Sequence, residues 1–287
     1  MDIDLHTHTT ASDGSLSPTE LVRLAHEAGV RRLAVTDHDT VAGLEAARAT
    51  AAEVGIDLVD GVEISCSWER REIHVLGLWI RPRDSALRAA LEGQHARREA
   101  RAERIARRLA GKGMPGALEG ARDQAAGAPV TRPHFARWLV ARGHAPDVPT
   151  AFRRWLGNGK AASVSVAWPA MAEVIDWIRL AGGVAVLAHP LKYRCTATRL
   201  RRLVTDFRAA GGTGLEFPAS GADPGQVATC VRLAHETGLA ASAGSDFHGP
   251  RPWQRTPGGV PHPPTAVTPI WSLPAGDSAI AAESRRD

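Results

Sequence analysis

The chain has 287 residues, 44% of them hydrophobic, with 35 Lys and Arg against 31 Asp and Glu, a net charge of +4 and a pI near 9.4. A chain of that length and composition can bury a large core, as one α/β domain or a domain carrying an insertion. Three scattered cysteines (Cys66, Cys195, Cys230) without CxxC spacing exclude a disulfide framework and a thiolate zinc knuckle. No apolar run reaches the roughly 18 residues of a membrane helix, and the N-terminus enters a strand without a leader-like segment, so a cytoplasmic protein with no membrane contact is expected.

The first predicted strand, Ile3 to His8, carries His6 and His8. Side chains two apart on a strand point the same way, and two imidazoles facing one point suit a divalent transition metal. Asp13-Gly14 follows. A helix over Val22–Ala28 stops at Gly29, and the apolar run Ala34–Val35 leads to Thr36-Asp37-His38-Asp39. Strand Asp57–Ile64 brings Glu63 to its end, and strand Glu72–Trp79 carries His74.

From Asp84, a suitable N-cap, to Leu109 the pattern is one long Arg/Ala/Glu helix. Its arginines between Arg97 and Arg108 interleave with Glu99 and Glu103, as on an exposed, ion-paired face. Gly111–Gly116 breaks it, and shorter helices are predicted near Pro133–Arg142 and Thr150–Leu156. Trp138, Trp155, Trp168 and Trp177 sit at apolar positions and read as core; Trp253 is the better candidate for base stacking. Beyond them come a helix at Val174–Leu180, strand Val184–Leu187 with His189-Pro190, strand Gly214–Phe217, a helix at Val231–Thr237, and Ala241–Ala243 leading to Asp246-Phe247-His248. Ala266–Trp271 offers a further strand, and the segment 250–264 is rich in Pro and Gly.

Three stretches repeat one unit of helix, glycine stop, short apolar strand and metal-type residue: those ending at His38, His189 and His248. Such runs read as parallel strands buried on both faces, and chemistry at strand C-termini is how α/β barrels build active sites. Roughly seven or eight strands then suggest an α/β barrel. Residues 1–82 and 168–274 would form its two parts, 83–167 a helical insertion covering the active site, and 275–287 a flexible tail.

The candidate metal ligands are His6, His8, Asp13, His38, Glu63, His74, His189, Asp246 and His248. They exceed what one tetrahedral ion uses, so two or three divalent ions are expected, with Glu63 able to bridge. Mixed His and carboxylate donors favour Mn²⁺, with Zn²⁺ or Fe²⁺ as alternatives, over Mg²⁺ alone. His26, His95, His144, His235 and His262 read as structural, and Asp37 and Asp39 as partners that orient imidazoles.

His6-Thr7-His8, Thr36-Asp37-His38-Asp39, Gly61-Val62-Glu63-Ile64-Ser65, Ile73-His74-Val75, His189-Pro190 and Asp246-Phe247-His248 resemble the motifs of the polymerase-and-histidinol-phosphatase (PHP) superfamily. Within it the chain is most similar to the RNase AM group, 5′→3′ exoribonucleases that are also 3′,5′-nucleoside bisphosphate phosphatases. Pro115–Ala121, Thr131–Arg137 and Gly159-Lys160 extend that likeness into the insertion. The resemblance implies a distorted (β/α)7 barrel with an α-helical insertion. It also implies a division of ligands: His6, His8, Glu63 and Asp246 for one ion, Glu63, His74 and His189 for a second, and Asp13, His38 and His248 for a third. Asp13, His38, Asp246 and His248 are the catalytic residues so implied.

The expected reaction is attack of a metal-activated hydroxide on phosphorus; Gly-x-Ser-x-Gly is absent and no side-chain nucleophile is needed. Arg132, His134 and Lys160 are the chosen contacts for a terminal phosphate. Substrates would be 3′,5′-bisphosphonucleotides and short 5′-phosphorylated oligonucleotides, with no stable protein partner. The alternatives are a phosphatase of a histidinol-phosphate-like metabolite and a catalytically silent metal-binding module.

Overall fold

The computed structural model describes residues 2–219, 223–251, 254 and 256–273. Seven strands form one sheet in chain order: β1 (Ile3–Asp4), β2 (Arg32–Val35), β3 (Asp57–Trp68), β4 (Arg71–Leu78), β5 (Val184–Leu187), β6 (Gly214–Phe217) and β7 (Ala240–Ala243). The amides of Leu5, His8 and Asp246 donate to the carbonyls of Ala243, Phe247 and His6 at 3.0, 2.9 and 2.9 Å, which closes the sheet into a barrel. No helix among the described residues is long and apolar enough to cross a membrane.

Strands β1–β3 and β5–β7 run parallel, as the short apolar runs suggest, but β4 pairs antiparallel with both β3 and β5. A tight hairpin produces the reversal. Its two loop residues, Glu69 and Arg70, both have positive φ (47° and 61°), the twist that two-residue hairpins require. Neither residue type advertises such a turn. Tertiary contacts hold it: Glu69 accepts from Arg199 at 2.8 Å and pairs with Arg202, while the Trp68 indole donates to Asp206 at 2.8 Å.

The helices α1 (Pro18–Glu27), α2 (Leu44–Val54), α7 (Met171–Leu180), α8 (Ala197–Ala209) and α9 (Pro224–Thr237) connect the strands. Between β4 and α7 lie α3 (Ser85–Ala110), α4 (Ala117–Ala125), α5 (Arg132–Ala141), α6 (Val148–Ala151) and a π turn at Phe152–Leu156. Asp84 caps α3 by accepting from the amides of Ala86 and Leu87. These helices have their own core, with Ile105, Leu109, Phe135, Trp138 and Leu139. The expected strand at Ala266–Trp271 does not form; around Pro269 there is a single bridge, Pro269 to Ala241, and a 3₁₀ turn at Ile270–Ser272. Trp253 and the tail from 275 lie outside the described residues.

Alternation along the strands divides the barrel. On β4, Ile73 and Val75 face outward to the core with α7 and α8, while Leu76 and Leu78 point inward with Val59, Val184 and Val186. The inward phase, followed upward, reaches Glu63 on β3, His74 on β4 and Glu216 on β6. Apolar side chains therefore plug the bottom, and the same phase delivers polar groups to the top.

Candidate metal centre

Nine side chains that span the sequence from His6 to His248 meet at the C-terminal mouth of the barrel. His6 Nε2 and His8 Nε2 lie 3.1 Å apart. Glu63 Oε2 is 3.3 Å from each, and Asp246 Oδ1 is 3.5 and 3.3 Å away. The other Glu63 oxygen is 2.9 Å from His74 Nδ1 and 3.0 Å from His189 Nε2, while His38 Nδ1 is 2.9 Å from Oε2. Asp13 lies between His248 Nε2 at 3.3 Å and His38 Nε2 at 3.8 Å.

Three groups offer donor atoms close enough to share an ion: His6, His8, Glu63 and Asp246; His8, Asp13, His38 and His248; and His38, Glu63 and His74. The first is the set that the resemblance implies. In the other two, His8 and His38 serve more than one group, and His189 adjoins Glu63 without completing a triple.

The local chain is shaped for this convergence. His189, Asp246 and Asp39, which follow β5, β7 and β2, have φ of 30°, 52° and 53°, a left-handed backbone that costs L-residues energy. Gly244 is required, because a Cβ there would stand 2.3 Å from His6 Cβ. Asp37 accepts from the Thr9 amide and hydroxyl and from the Ser12 hydroxyl at 2.6–2.7 Å, fixing the loop that carries Asp13. Asp37 and Asp39 thus hold backbone and α3 rather than imidazoles, contrary to the expectation.

Other groups set the imidazole tautomers. Glu216 Oε1 accepts from His6 Nδ1 at 2.8 Å, and the Asp246 carbonyl accepts from His248 Nδ1 at 2.9 Å. Carboxylates and carbonyls only accept, so these nitrogens carry hydrogen and the opposite ones turn lone pairs inward. Glu63 Oε2, Asp13 Oδ1 and His38 Nδ1 are buried there without a hydrogen-bond partner. Inward lone pairs, unpartnered buried oxygens and the absence of thiolate fit divalent cations.

Electrostatics agree. Burial opposes charge on His8, yet the adjacent carboxylates of Asp246 and Glu63 lift it to about 9. His74, likewise opposed by burial, is lifted to about 9 by the charge of Glu63. Burial would raise Glu63, Asp13 and Asp246, but the surrounding imidazoles hold all three well below the usual carboxylate range. The pocket calls for positive charge at its centre.

On the rim, Arg101 grips Glu72 with two nitrogens at 3.2 and 3.1 Å, and Arg132 approaches the same carboxylate at 3.6 Å. Deeper, Arg98 binds Asp39 at 2.7 Å through Nε and Ser65 Oγ at 3.0 Å. Arg98 and Arg101 are buried, which corrects the reading of the whole Arg97–Arg108 run as a solvated face. The signal lay in the helical period: Leu87, Leu91, Gln94, Arg98, Arg101, Ile105 and Leu109 form one buried stripe, and the polar members interrupt it where α3 crosses the site. Glu216, Glu72 and Lys192, whose ammonium pairs with Asp246, were also missed.

His134 departs from the expectation of a phosphate-binding cation. It is buried, its Nδ1 accepts from the Thr131 amide at 2.9 Å to cap α5, and burial followed by the nearby Arg137 charge holds it down at about 4. Lys160 stands exposed on the turn after the π turn, and its ammonium forms no ion pair among the described residues.

A family profile described as "PHP domain" matches residues 4–114. A 5′-3′ exoribonuclease of Haemophilus influenzae is 47% identical over 87% of this chain and 91% of its own length. A 3′,5′-nucleoside bisphosphate phosphatase of Chromobacterium violaceum is 40% identical over 94% and 95%. A solved structure of an amidohydrolase from the same organism, with bound sulfate and no metal, superposes with a TM-score of 0.90 at 38% identity over 98% of this chain and 96% of that one. A Bifidobacterium adolescentis protein assigned as a metal-dependent phosphoesterase gives 0.80 at 28% identity over 98% and 94%.

Proposed function

The chain belongs to the PHP family of metal-dependent phosphoesterases, and from that premise we propose that it removes the 3′-phosphate of 3′,5′-bisphosphonucleotides and trims short 5′-phosphorylated RNA or DNA one nucleotide at a time from the 5′ end. One observation carries the choice of substrate. A second cationic site, Arg101 and Arg132, flanks Glu72 beside His74, so a molecule with two phosphates can be held at both ends.

The nine donors would hold two or three divalent ions, Mn²⁺ fitting the mixed His and carboxylate set. Such ions supply a water acidic enough to ionise near neutral pH and positive charge for the phosphoryl oxygens. The chain's own groups do the rest. Glu216 keeps the His6 proton on Nδ1, and the Asp246 carbonyl keeps that of His248 on Nδ1. Glu63, at the junction of the three strands' worth of imidazoles, spaces the donor groups. Arg132, more exposed than Arg101, turns toward the terminal phosphate, and Lys160 supplies a further charge from the turn beyond α6. Arg137 donates to the Asp13 carbonyl at 3.2 Å and ties α5 to the loop that carries Asp13.

The test is a product assay on purified protein with Mn²⁺, comparing adenosine 3′,5′-bisphosphate, a 5′-phosphorylated oligoribonucleotide and histidinol phosphate. Release of phosphate from the first and of mononucleotides from the second is expected. Turnover of histidinol phosphate alone would replace this reading with the metabolite phosphatase.

A further inference from the structure

The centre has two dissimilar flanks. Arg101 and Arg132 stand over β4, whereas a cavity of about 270 Å³ opens over the ends of β5, β6 and β7. In a closed ring of seven strands, β4 and β7 are as far apart as two strands can be. The cavity shares His189 and Asp246 with the centre, Leu191, Phe217 and Pro218 give it apolar walls, and Lys192 stands beside it with an exposed stem. At about 270 Å³ it lies just below the roughly 300–1,000 Å³ of typical ligand pockets, which limits it to an occupant about as small as one nucleoside.

The chemistry of the two proposed substrates requires something on that flank. In both, water adds to phosphorus, the P–O3′ bond of the 5′-terminal nucleotide breaks, and a proton passes to O3′. With a bisphosphonucleotide the phosphoryl group carries only terminal oxygens and leaves as inorganic phosphate. With an oligomer one of those oxygens is O5′ of the next nucleotide, which emerges as the new 5′-phosphorylated end. The first nucleotide is held toward Arg101 and Arg132 by its 5′-phosphate, so the second must extend away from them.

We infer that the cavity between the His189–Lys192 turn and the ends of β6 and β7 is the binding site for the second nucleotide of an oligonucleotide, its base against Leu191 and Pro218 and the downstream backbone passing Lys192. The inference rests on the phosphoesterase reading above and deepens it, because only oligomer hydrolysis uses this flank. A flat apolar wall suits a base without reading its sequence, since every base has a π face. An ammonium at the mouth suits a phosphodiester chain.

The experiment compares wild type with Ala219→Phe, which fills the cavity from its wall just beyond β6. Three substrates are used: adenosine 3′,5′-bisphosphate, the dinucleotide pApA, and its analogue lacking the second base. For wild type, removal of the second base should cut kcat/KM by about tenfold, the loss of one stacked base. Ala219→Phe should cut pApA hydrolysis by about tenfold or more, erase the difference between pApA and the abasic analogue, and leave bisphosphate hydrolysis near wild type, which also reports a folded enzyme. A binding measurement stands apart from turnover: with chelator present, pApA carrying 2-aminopurine as its second base should bind wild type with quenched fluorescence and bind Ala219→Phe without it. Equal loss on all substrates, or equal rates on pApA and the abasic analogue in wild type, would overturn the inference and leave the phosphoesterase reading intact. Hydrolysis of none of the three by wild type would overturn both.

Discussion

Arg98 offers the sharpest test of how the helices between β4 and α7 are joined to the centre. Its guanidinium binds Asp39 Oδ2 at 2.7 Å through Nε and Ser65 Oγ at 3.0 Å, and lies 5.5 Å from the Trp168 ring centroid. Asp39 in turn accepts from the Ser65 amide at 2.8 Å and from Gln94 at 3.0 Å, and its own amide donates to the Glu63 carbonyl at 2.8 Å. Both ions are buried. Arg98→Met removes the cation and leaves the carboxylate with neutral partners. Breaking a buried pair from one side costs about 3–5 kcal/mol, against total stabilities of about 5–15 kcal/mol. Asp39→Asn in the same chain removes the stranded charge, so the double variant should recover at least about 1 kcal/mol relative to Arg98→Met. Urea denaturation with chelator present, followed by tryptophan fluorescence, measures all four corners of the cycle. An Arg98→Met loss below about 1 kcal/mol, or two losses that simply add, would refute the claim that this pair is a desolvated, coupled unit.

His8→Gln and Asp246→Asn each remove a donor from the best-formed group and should abolish hydrolysis and lower bound metal together, as read by elemental analysis beside a product assay. Arg132→Met should raise KM for adenosine 3′,5′-bisphosphate by about ten- to a hundredfold, the value of a charge-assisted hydrogen bond, while metal content stays at the wild-type level. Lys160→Ala should act in the same direction, more weakly because its charge is solvated; loss of metal in either variant would show it to be structural. His134 gives a pH test. Its folded value of about 4 lies below its unfolded value near 6.5, so the unfolded chain binds a proton between them that the folded chain does not. Its contribution is complete above pH 6.5 and falls as pH drops toward 4, by about 3 kcal/mol at the limit. His134→Asn, which keeps an acceptor at the α5 cap, should flatten that part of the stability-against-pH curve; an unchanged slope would place the proton elsewhere.

Much of the centre could be read because its donors sit at strand ends and keep their identity whatever surrounds them. His6 and His8 share a face by the period of a strand alone, and His189, Asp246 and His248 stand in short motifs just beyond an apolar run. The antiparallel β4 was harder. The Glu69-Arg70 turn carries no Asn-Gly or Asp-Gly signal, and its conformation is imposed by Arg199 and Arg202 from more than a hundred residues away in sequence. The rim residues failed for a different reason. Arg98 and Arg101 have the composition of a solvated helix, and only their phase with Leu87, Leu91, Ile105 and Leu109 shows that they face inward. Glu216 sits inside the apolar strand Gly214–Phe217, where one acid among buried neighbours has no neighbouring motif to mark it.

Charge explains why the centre is built for ions rather than protons. Asp13, Glu63, Glu216 and Asp246 converge with six imidazoles, and among the described residues Lys192 is the one Lys or Arg ion-paired with any of these carboxylates. Buried carboxylates without compensation cost several kcal/mol each. Protonating the imidazoles is one remedy, and the rise of His8 and His74 to about 9 shows how strongly the carboxylates press for it. That remedy conflicts with the geometry. Glu216 already takes the Nδ1 proton of His6, so a second proton would sit on Nε2, 3.1 Å from the Nε2 of His8, with two N–H groups pointed at each other. A divalent ion neutralises the same carboxylates and accepts those lone pairs without the clash. The left-handed backbone at His189 and Asp246, worth about 1–3 kcal/mol of strain each, is then accounted for: it aims donors at a charge that the polypeptide itself does not contain.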